Sequence, residues 1–423
     1  MITPNDILTT IEEEDVEFIR LQFTDIWGNL KNIAVTPKQM DKVFKNKFSF
    51  EGRALFDDLL DCDEDFYLYP DPETFVILPW RPQQGKVGKI ICDVCHSDGT
   101  PCALSPRQVL KESLERARKA GYTFRVNAQC EFFLFHTDEN GNPTTLSHEK
   151  AGYLDVGPSD FGENARRDMV LTLEEMGFEI ESSHHEKAPA QHEIDFMADD
   201  ALKTADNVMT FKFAVRSIAK RFGLYATFMP KPVEGVEGSG MHLNFSMYKD
   251  GKNLFETGDK GDISKEAACF IGGVMAHAKG LCAVTNPIIN SYKRIISGFK
   301  APSLIDWSTK GENSLIKYHN KCEEAKVELR FPDPAANPYL AIAACINAGL
   351  DGISKNTEPT TGRPKKLPEN LSEALDSMVR DYLVVKTLGE ELSDIYIKVK
   401  KDEWKRYMSQ VSDWEINNYL SKM

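Results

Sequence analysis

No run of 18 consecutive apolar residues occurs in this 423-residue chain, so no membrane span is expected. Positive charge is in deficit. Lysine and arginine total 51 against 65 aspartates and glutamates, a formal net charge of −14. That field repels phosphate and argues against a general nucleic-acid or anionic-membrane binder. Neither a GxxxxGK[ST] loop nor a GxGxxG turn is present, so a nucleotide would have to be held by other means. The N-terminus lacks a basic segment followed by an apolar one, which excludes a signal-peptide reading of those residues. Internal repeats and low-complexity stretches are also missing.

Cysteines are nine, odd in number and scattered, which reads as free, buried thiols in a reducing cytoplasm. One cluster, Cys92-Asp93-Val94-Cys95-His96, fits the CxxCH spacing of haem attachment. It follows a strand-like run, 89–94 (KIICDV), and precedes the turn residues 97–100 (SDGT). Two core thiols and a surface histidine are therefore expected rather than haem.

What is present is ordinary for a globular protein: 41% hydrophobic and 27% charged residues. At roughly 150 residues per domain the length predicts two or three domains. Residues 16–23 and 30–35 are β-formers around the turn residues 25–29, a hairpin signature. Segments 75–80 (FVILPW) and 89–94 read as further strands. Ser105-Pro106 opens the first strong helix, with Gln108 at capping-box spacing and Gly121 as the stop. A domain boundary is placed near residue 103. A helical stretch is expected from Leu371 to Met423, after a surface loop over 357–368 (TEPTTGRPKKLP).

Four segments carry polar residues at spacing two inside apolar strands: Gln129 and Glu131; His242, Asn244 and Ser246; Glu328 and Arg330; and the stretch holding Glu186 and Glu193. Strands alternate faces, so each segment shows one apolar face and one bearing these groups. A solvated strand face gives the same signature in any one segment. Four together point to a cavity where clustered carboxylates surround a hard divalent ion, Mg²⁺ or Mn²⁺. His184 and His185 read as supporting or packing residues. Asn286 to Arg294, with Gly298 to Pro302, offers a basic pair beside Pro- and Gly-containing loops.

At these residues the sequence resembles type I glutamine synthetases. The matching strings are RLQFTD (20–25), LYPD (68–71), SHHE (183–186), QHEIDF (191–196), ATFMPKP (226–232), GSGMH (238–242), NSYKR (290–294) and DPAANPYLA (333–341), in family order. The resemblance implies an α+β fold: an N-terminal β-grasp domain, 1–103, and a catalytic domain, 104–423, built on an antiparallel sheet with helices. It implies two stacked hexameric rings with active sites shared between subunits. It implies ATP as substrate, two or three divalent ions per site, and an acyl-phosphate route to a γ-glutamyl product.

Carried over by position, Glu131, Glu186 and Glu193 match the first metal's ligands. His242 and Glu328 match two of the second metal's three, and Gln129 stands where the family has a glutamate. Arg294 and Arg330 match arginines handling carboxylate and phosphate charge. Glu237 and Gly238 fall on the amino-acid site, where the family has Asn-Gly. Asn244 and Ser246 fall on the nucleotide strand, and Tyr153 matches an ammonium-pocket tyrosine. Lys300 replaces the glutamate of the mobile flap, and Glu51-Gly52-Arg53-Ala54 replaces the neighbour's Asp-Gly-Ser-Ser. Glu312 and Lys317 take the places of phosphate-contacting arginines. A lysine ammonium at Lys300 repels a cationic nucleophile and could fill the ammonium pocket beside Glu186 and Glu51. Three functions follow: a ligase of this family with altered substrate use, a weak or inactive paralogue with a regulatory or structural role, or an ordinary glutamine synthetase.

Overall fold

The computed structural model describes residues 2–57, 59, 62–81, 84–257, 262–296, 298, 301–310, 313–320, 325–360 and 362–423. An N-terminal sheet contains β1 (Val16–Thr24), β2 (Leu30–Val35), β3 (Phe48–Glu51), β4 (Asp65–Pro70), β5 (Val76–Ile77) and β6 (Lys86–Cys95). Its order is β2-β1-β6-β4-β3, with β5 against β6. The central pair β1–β6 is parallel, as a β-grasp requires, and its neighbours are antiparallel. The expected hairpin is β1–β2. Asp25 closes it by accepting from the backbone N–H groups of Trp27 and Asn29 at 3.0 and 2.8 Å. The strand expected over 75–80 shrinks to β5, since Pro79 has no N–H for the ladder. Cys92 and Cys95 lie on β6, three residues apart and so on opposite faces; both thiols are free and buried. Burial pushes the Cys95 thiol up to about 11.

The helix Pro106–Lys119 begins where Ser105 and Pro106 predict, and Gly121 follows it at φ +87°. The capping box does not form: Gln108 bonds Glu112 at 3.1 Å instead. Arg107 of this helix, buried, ties the two sheets' surroundings together. Its guanidinium donates to Asp71 (2.7 Å) and Asp93 (2.6 Å) of the N-terminal part and to Asp206 (2.8 Å) of the helix Ala201–Arg221.

The second sheet comprises β7 (Thr123–His136), β8 (Ile180–His185), β9 (Gln191–Phe196), β10 (Asp199–Asp200), β11 (Leu224–Thr227), β12 (Met241–Lys249) and β13 (Lys252–Asn253). After β14 (Leu304–Ile305), which stands apart, it gains β15 (Trp307–Ser308), β16 (Ile316–His319) and β17 (Lys326–Leu329). The order is β15-β16-β17-β12-β7-β9-β8, antiparallel except for β15–β16. β14 pairs with Lys365–Lys366, so the loop expected over 357–368 contributes a short strand.

One face of this sheet is mostly apolar. Met241, Leu243, Phe245 and Met247 of β12 are fully buried, as are Val126, Ala128, Cys130 and Phe132 of β7. Burying each such side chain stabilises the fold by about 1.5–3 kcal/mol. Behind them pack the helices Lys265–Thr285 and Pro338–Lys355. The first is long and apolar enough to cross a membrane by composition, but it is mostly buried inside the fold. Its Gly273 permits close contact: a Cβ there would stand 2.2 Å from the Ala348 carbonyl oxygen. The C-terminal stretch is helical, as expected, in Leu371–Arg380, Tyr382–Leu388, Glu390–Met408 and Asp413–Tyr419.

Candidate active site

The other face of the second sheet lines a cavity of about 1380 Å³. Strand register explains its composition. Glu131 pairs with Glu193, and Glu193 with His184, giving one row across β7, β9 and β8. Gln129 pairs with His242 across β7 and β12. Asn244 pairs with both Asn127 and Glu328, and Glu328 with Lys317, giving a third row. Directly opposed residues bring their Cβ atoms to about 5 Å, so each row is a contiguous polar strip.

The first row holds three carboxylates. Glu186, one residue past β8, joins Glu131 and Glu193 there. His184 Nε2 lies 3.0 Å from Glu186 and 3.5 Å from Glu193. Burial, then Glu186, raises Glu131 above the usual carboxylate range. Burial, then Asp195, Glu131 and Glu186, raises Glu193 further. Burial would raise Glu186 too, but His184 together with hydrogen bonds from Glu193 and the Lys187 backbone outweighs it and holds Glu186 low. Clustered carboxylate oxygens of this kind fit a hard divalent ion. The residues present therefore fit the ion that the fold implies.

The third row behaves oppositely. Burial works to raise Glu328, yet hydrogen bonds from His242 and His319 outweigh it and hold the carboxyl far below the usual range. His319 Nε2 stands 2.5 Å from Glu328 Oε2, His242 Nδ1 3.2 Å from Oε1, and Arg330 Nε 3.8 Å from the same oxygen. Gln129 accepts from Asn244 at 3.0 Å.

Most residues singled out from the sequence meet in this cavity: Gln129, Glu131, Glu186, Glu193, His242, Asn244, Ser246, Lys317, Glu328, Arg330 and Tyr153 all line it. Tyr153 is 53% exposed at the rim, its ring edge-on to His184 with Lys187 over it at 5.4 Å. Arg294 is buried behind the wall. It donates to the carbonyls of Phe331 (3.0 Å) and Arg330 (3.1 Å), and its guanidinium abuts Gly240. Gly238 lies beside Arg294, and its carbonyl accepts from Gln191 at 3.3 Å. Glu237 and Glu51 do not line the cavity of their own chain; Glu51 is exposed at the end of β3. Lys300 and Glu312 lie outside the described residues.

Two histidines were underrated or missed. His184 and His185 divide: His184 joins the carboxylates, while His185 faces away into a buried cluster. There its Nε2 meets Glu149 at 2.8 Å and its Nδ1 meets the Gly152 carbonyl at 3.0 Å, tying the Tyr153 loop to β8. His319 carried a findable signal, since it alternates with Lys317 on β16 toward the same face. Only the shortness of residues 316–319 (IKYH) hid it.

Fold and cavity together define a two-domain α+β enzyme whose catalytic sheet presents acidic and imidazole groups to one chamber. Residues 15–97 match the glutamine synthetase β-grasp domain family, and residues 103–419 match the glutamine synthetase catalytic domain family. The chain is 50% identical to a glutamine synthetase of Clostridium saccharobutylicum, covering 99% of both chains. It is 44% identical to one of Methanosarcina mazei, covering 100% of this chain and 98% of that one. Among solved structures, a GmaS/ADP complex superposes with TM-score 0.90 at 32% identity, covering 98% of this chain and 99% of that one. The chain belongs to the glutamine synthetase family and is an ATP-dependent ligase.

Proposed function

We propose that the chain joins an amine to the side-chain carboxylate of glutamate or a close analogue, through an acyl phosphate made from ATP, giving a γ-glutamyl product. The observation that carries this reading is the facing of Glu131, Glu186 and Glu193 with His242 and Glu328 across one cavity. Glu131, Glu186 and Glu193 would hold one divalent ion, Mg²⁺ or Mn²⁺; His242, Glu328 and Gln129 would hold a second. Ions bound there supply charge neutralisation for the transferring phosphoryl group. Asn244, Ser246 and Lys317 would form the nucleotide end of the cavity, and the similar GmaS structure is a complex with ADP. Arg330 would meet carboxylate or phosphoryl oxygens. Arg294, engaged with two main-chain carbonyls, positions Arg330 and the Gly238–Gly240 turn. Tyr153 and Glu186 border the amine end. The exposed Glu51 suits a neighbour's cavity, in line with stacked hexameric rings. The same reading divides the chain near residue 103.

We infer altered amine use from the sequence around that end. Lys300 adds a like charge where ammonium would collect, and Gln129 removes a negative one. Phosphate release from ATP, measured with glutamate and a panel of amines, tests this. The expected result is stimulation by an amine other than ammonia, with ammonia-dependent release recovered in Lys300→Glu. Ammonia as the best substrate of the unmodified protein would overturn altered use and leave an ordinary glutamine synthetase. A second reading, a weak paralogue with a regulatory or structural role, is favoured by the engaged amide oxygen of Gln129. No amine-stimulated release at all, with co-assembly onto an active synthetase, would support that reading instead.

A further inference from the structure

We propose that Glu149 is a positioning residue of the amine end: by fastening the strap of residues 149–161 at the cavity rim, it sets Tyr153 where the incoming amine meets the site. The inference rests on the γ-glutamyl reading above and concerns a residue that reading does not use. Glu149 is buried, and both of its oxygens are engaged. Oε1 lies 2.8 Å from His185 Nε2, at the end of β8, and also accepts from the Ala190 backbone N–H. Oε2 accepts from the Phe161 backbone N–H at 3.0 Å, at the far end of the strap. One carboxylate thus joins both ends of the strap to the chain on either side of Glu186.

Little apolar packing holds this segment. Residues 149–161 contain no helix or strand. Leu154, Val156 and Phe161 are mostly exposed, and Ala151 is the one apolar side chain of the strap that is buried. A segment with so few buried apolar contacts depends on hydrogen bonds for its place. Those around Tyr153 lead to His185. Its Nδ1 lies 3.0 Å from the Gly152 carbonyl oxygen, and its own carbonyl accepts from the Leu154 N–H at 3.1 Å. Glu149 meets the other ring nitrogen, so carboxylate and imidazole together hold the residues on both sides of Tyr153. The Tyr153 ring stands edge-on to His184, whose Nε2 lies 3.0 Å from Glu186. The far end has a second anchor, Asp160 Oδ2, which accepts from Arg166 at 2.7 Å. The path from Glu149 to the cavity therefore runs through His185 and Tyr153.

The test uses the full-length assembly and phosphate release from ATP with glutamate, with ammonium, primary alkylamines and amino acids as the varied amine. Glu149→Gln keeps the shape but leaves one acceptor oxygen for three donors. It is expected to raise the amine KM about tenfold or more, while kcat and the ATP KM change by less than about threefold. Glu149→Asp, which keeps the charge, should show a smaller rise, and it carries the test if the Gln variant does not fold. Backbone hydrogen exchange over 149–161 should quicken in both. In a Tyr153→Ala background the rise caused by Glu149→Gln should shrink, because the side chain it positions is gone. An unchanged amine KM, a fall confined to kcat, unchanged exchange, or the same rise with and without Tyr153 would overturn the proposal and leave the γ-glutamyl reading standing. No stimulation of the parent protein by any of the amines would overturn both.

Discussion

The two ends of the cavity are built on one sheet with one register, yet their electrostatics have opposite sign. At the β7–β9–β8 end, burial and neighbouring carboxylates raise Glu131 and Glu193, so their ionised forms destabilise the fold, while His184 helps hold Glu186 low. At the β12–β17–β16 end, two imidazoles hold Glu328 ionised, so its charge stabilises the fold. The three carboxylates of the first end suit a cation, whereas at the other end His242 and His319 balance the charge of Glu328.

The largest expected effect addresses what both ends share. Phe245→Ala empties a fully buried site on the apolar side of β12, between Asn244 and Ser246. Denaturant unfolding should show a loss of about 3–5 kcal/mol. Metal affinity of the remaining folded protein should be unchanged, because the asymmetry lies on the opposite face.

Smaller, and diagnostic, is a pair of variants of opposite sign. Glu328→Gln should destabilise the metal-free protein by about 1–3 kcal/mol at neutral pH, since it leaves one imidazole without an acceptor and removes the charge both balance. Glu193→Gln should stabilise it, since it removes a repelling charge. The pH dependence follows from the shifts. Glu193 is raised above its ordinary 4.5, so its contribution is full below about pH 4.5 and is lost as pH rises through the raised value. Glu328 is lowered, so its contribution is present above about pH 4.5 and is lost as pH falls. Across pH 5–8 the Glu328→Gln protein should therefore stay below the parent by a constant amount, while Glu193→Gln should gain on the parent as pH rises. Curves that shift together would break the comparison.

The smallest effect is expected from Gln129→Glu. Adding a carboxylate to the imidazole end should tighten Mg²⁺ there by about tenfold, about 1.4 kcal/mol, read by calorimetry.

Alternation at spacing two was enough to place Glu131, His242, Asn244, Glu328 and Arg330 on one surface, because strand geometry leaves no other choice. What it could not supply was register. Nothing local says that Glu131 faces Glu193 rather than a neighbour two residues away; long-range pairing decides that. His319 escaped notice for a related reason: β16 has four residues, too few for a pattern. The split between His184 and His185 follows from alternation along β8, with Glu149 receiving the inward ring. Some matched motifs are structural. Asn337 of DPAANPYLA donates to the Asp25 carbonyl of RLQFTD at 3.1 Å, fastening the catalytic part to the N-terminal hairpin.

The most direct test is amine- and glutamate-dependent phosphate release from ATP by Glu131→Gln beside the parent protein. Glu131 sits at the β7 end of the carboxylate row, where the neutral isostere keeps shape and removes charge. The account predicts a loss of about a thousandfold, several kcal/mol of barrier, with the fold intact by circular dichroism. Turnover by Glu131→Gln equal to the parent's would contradict it.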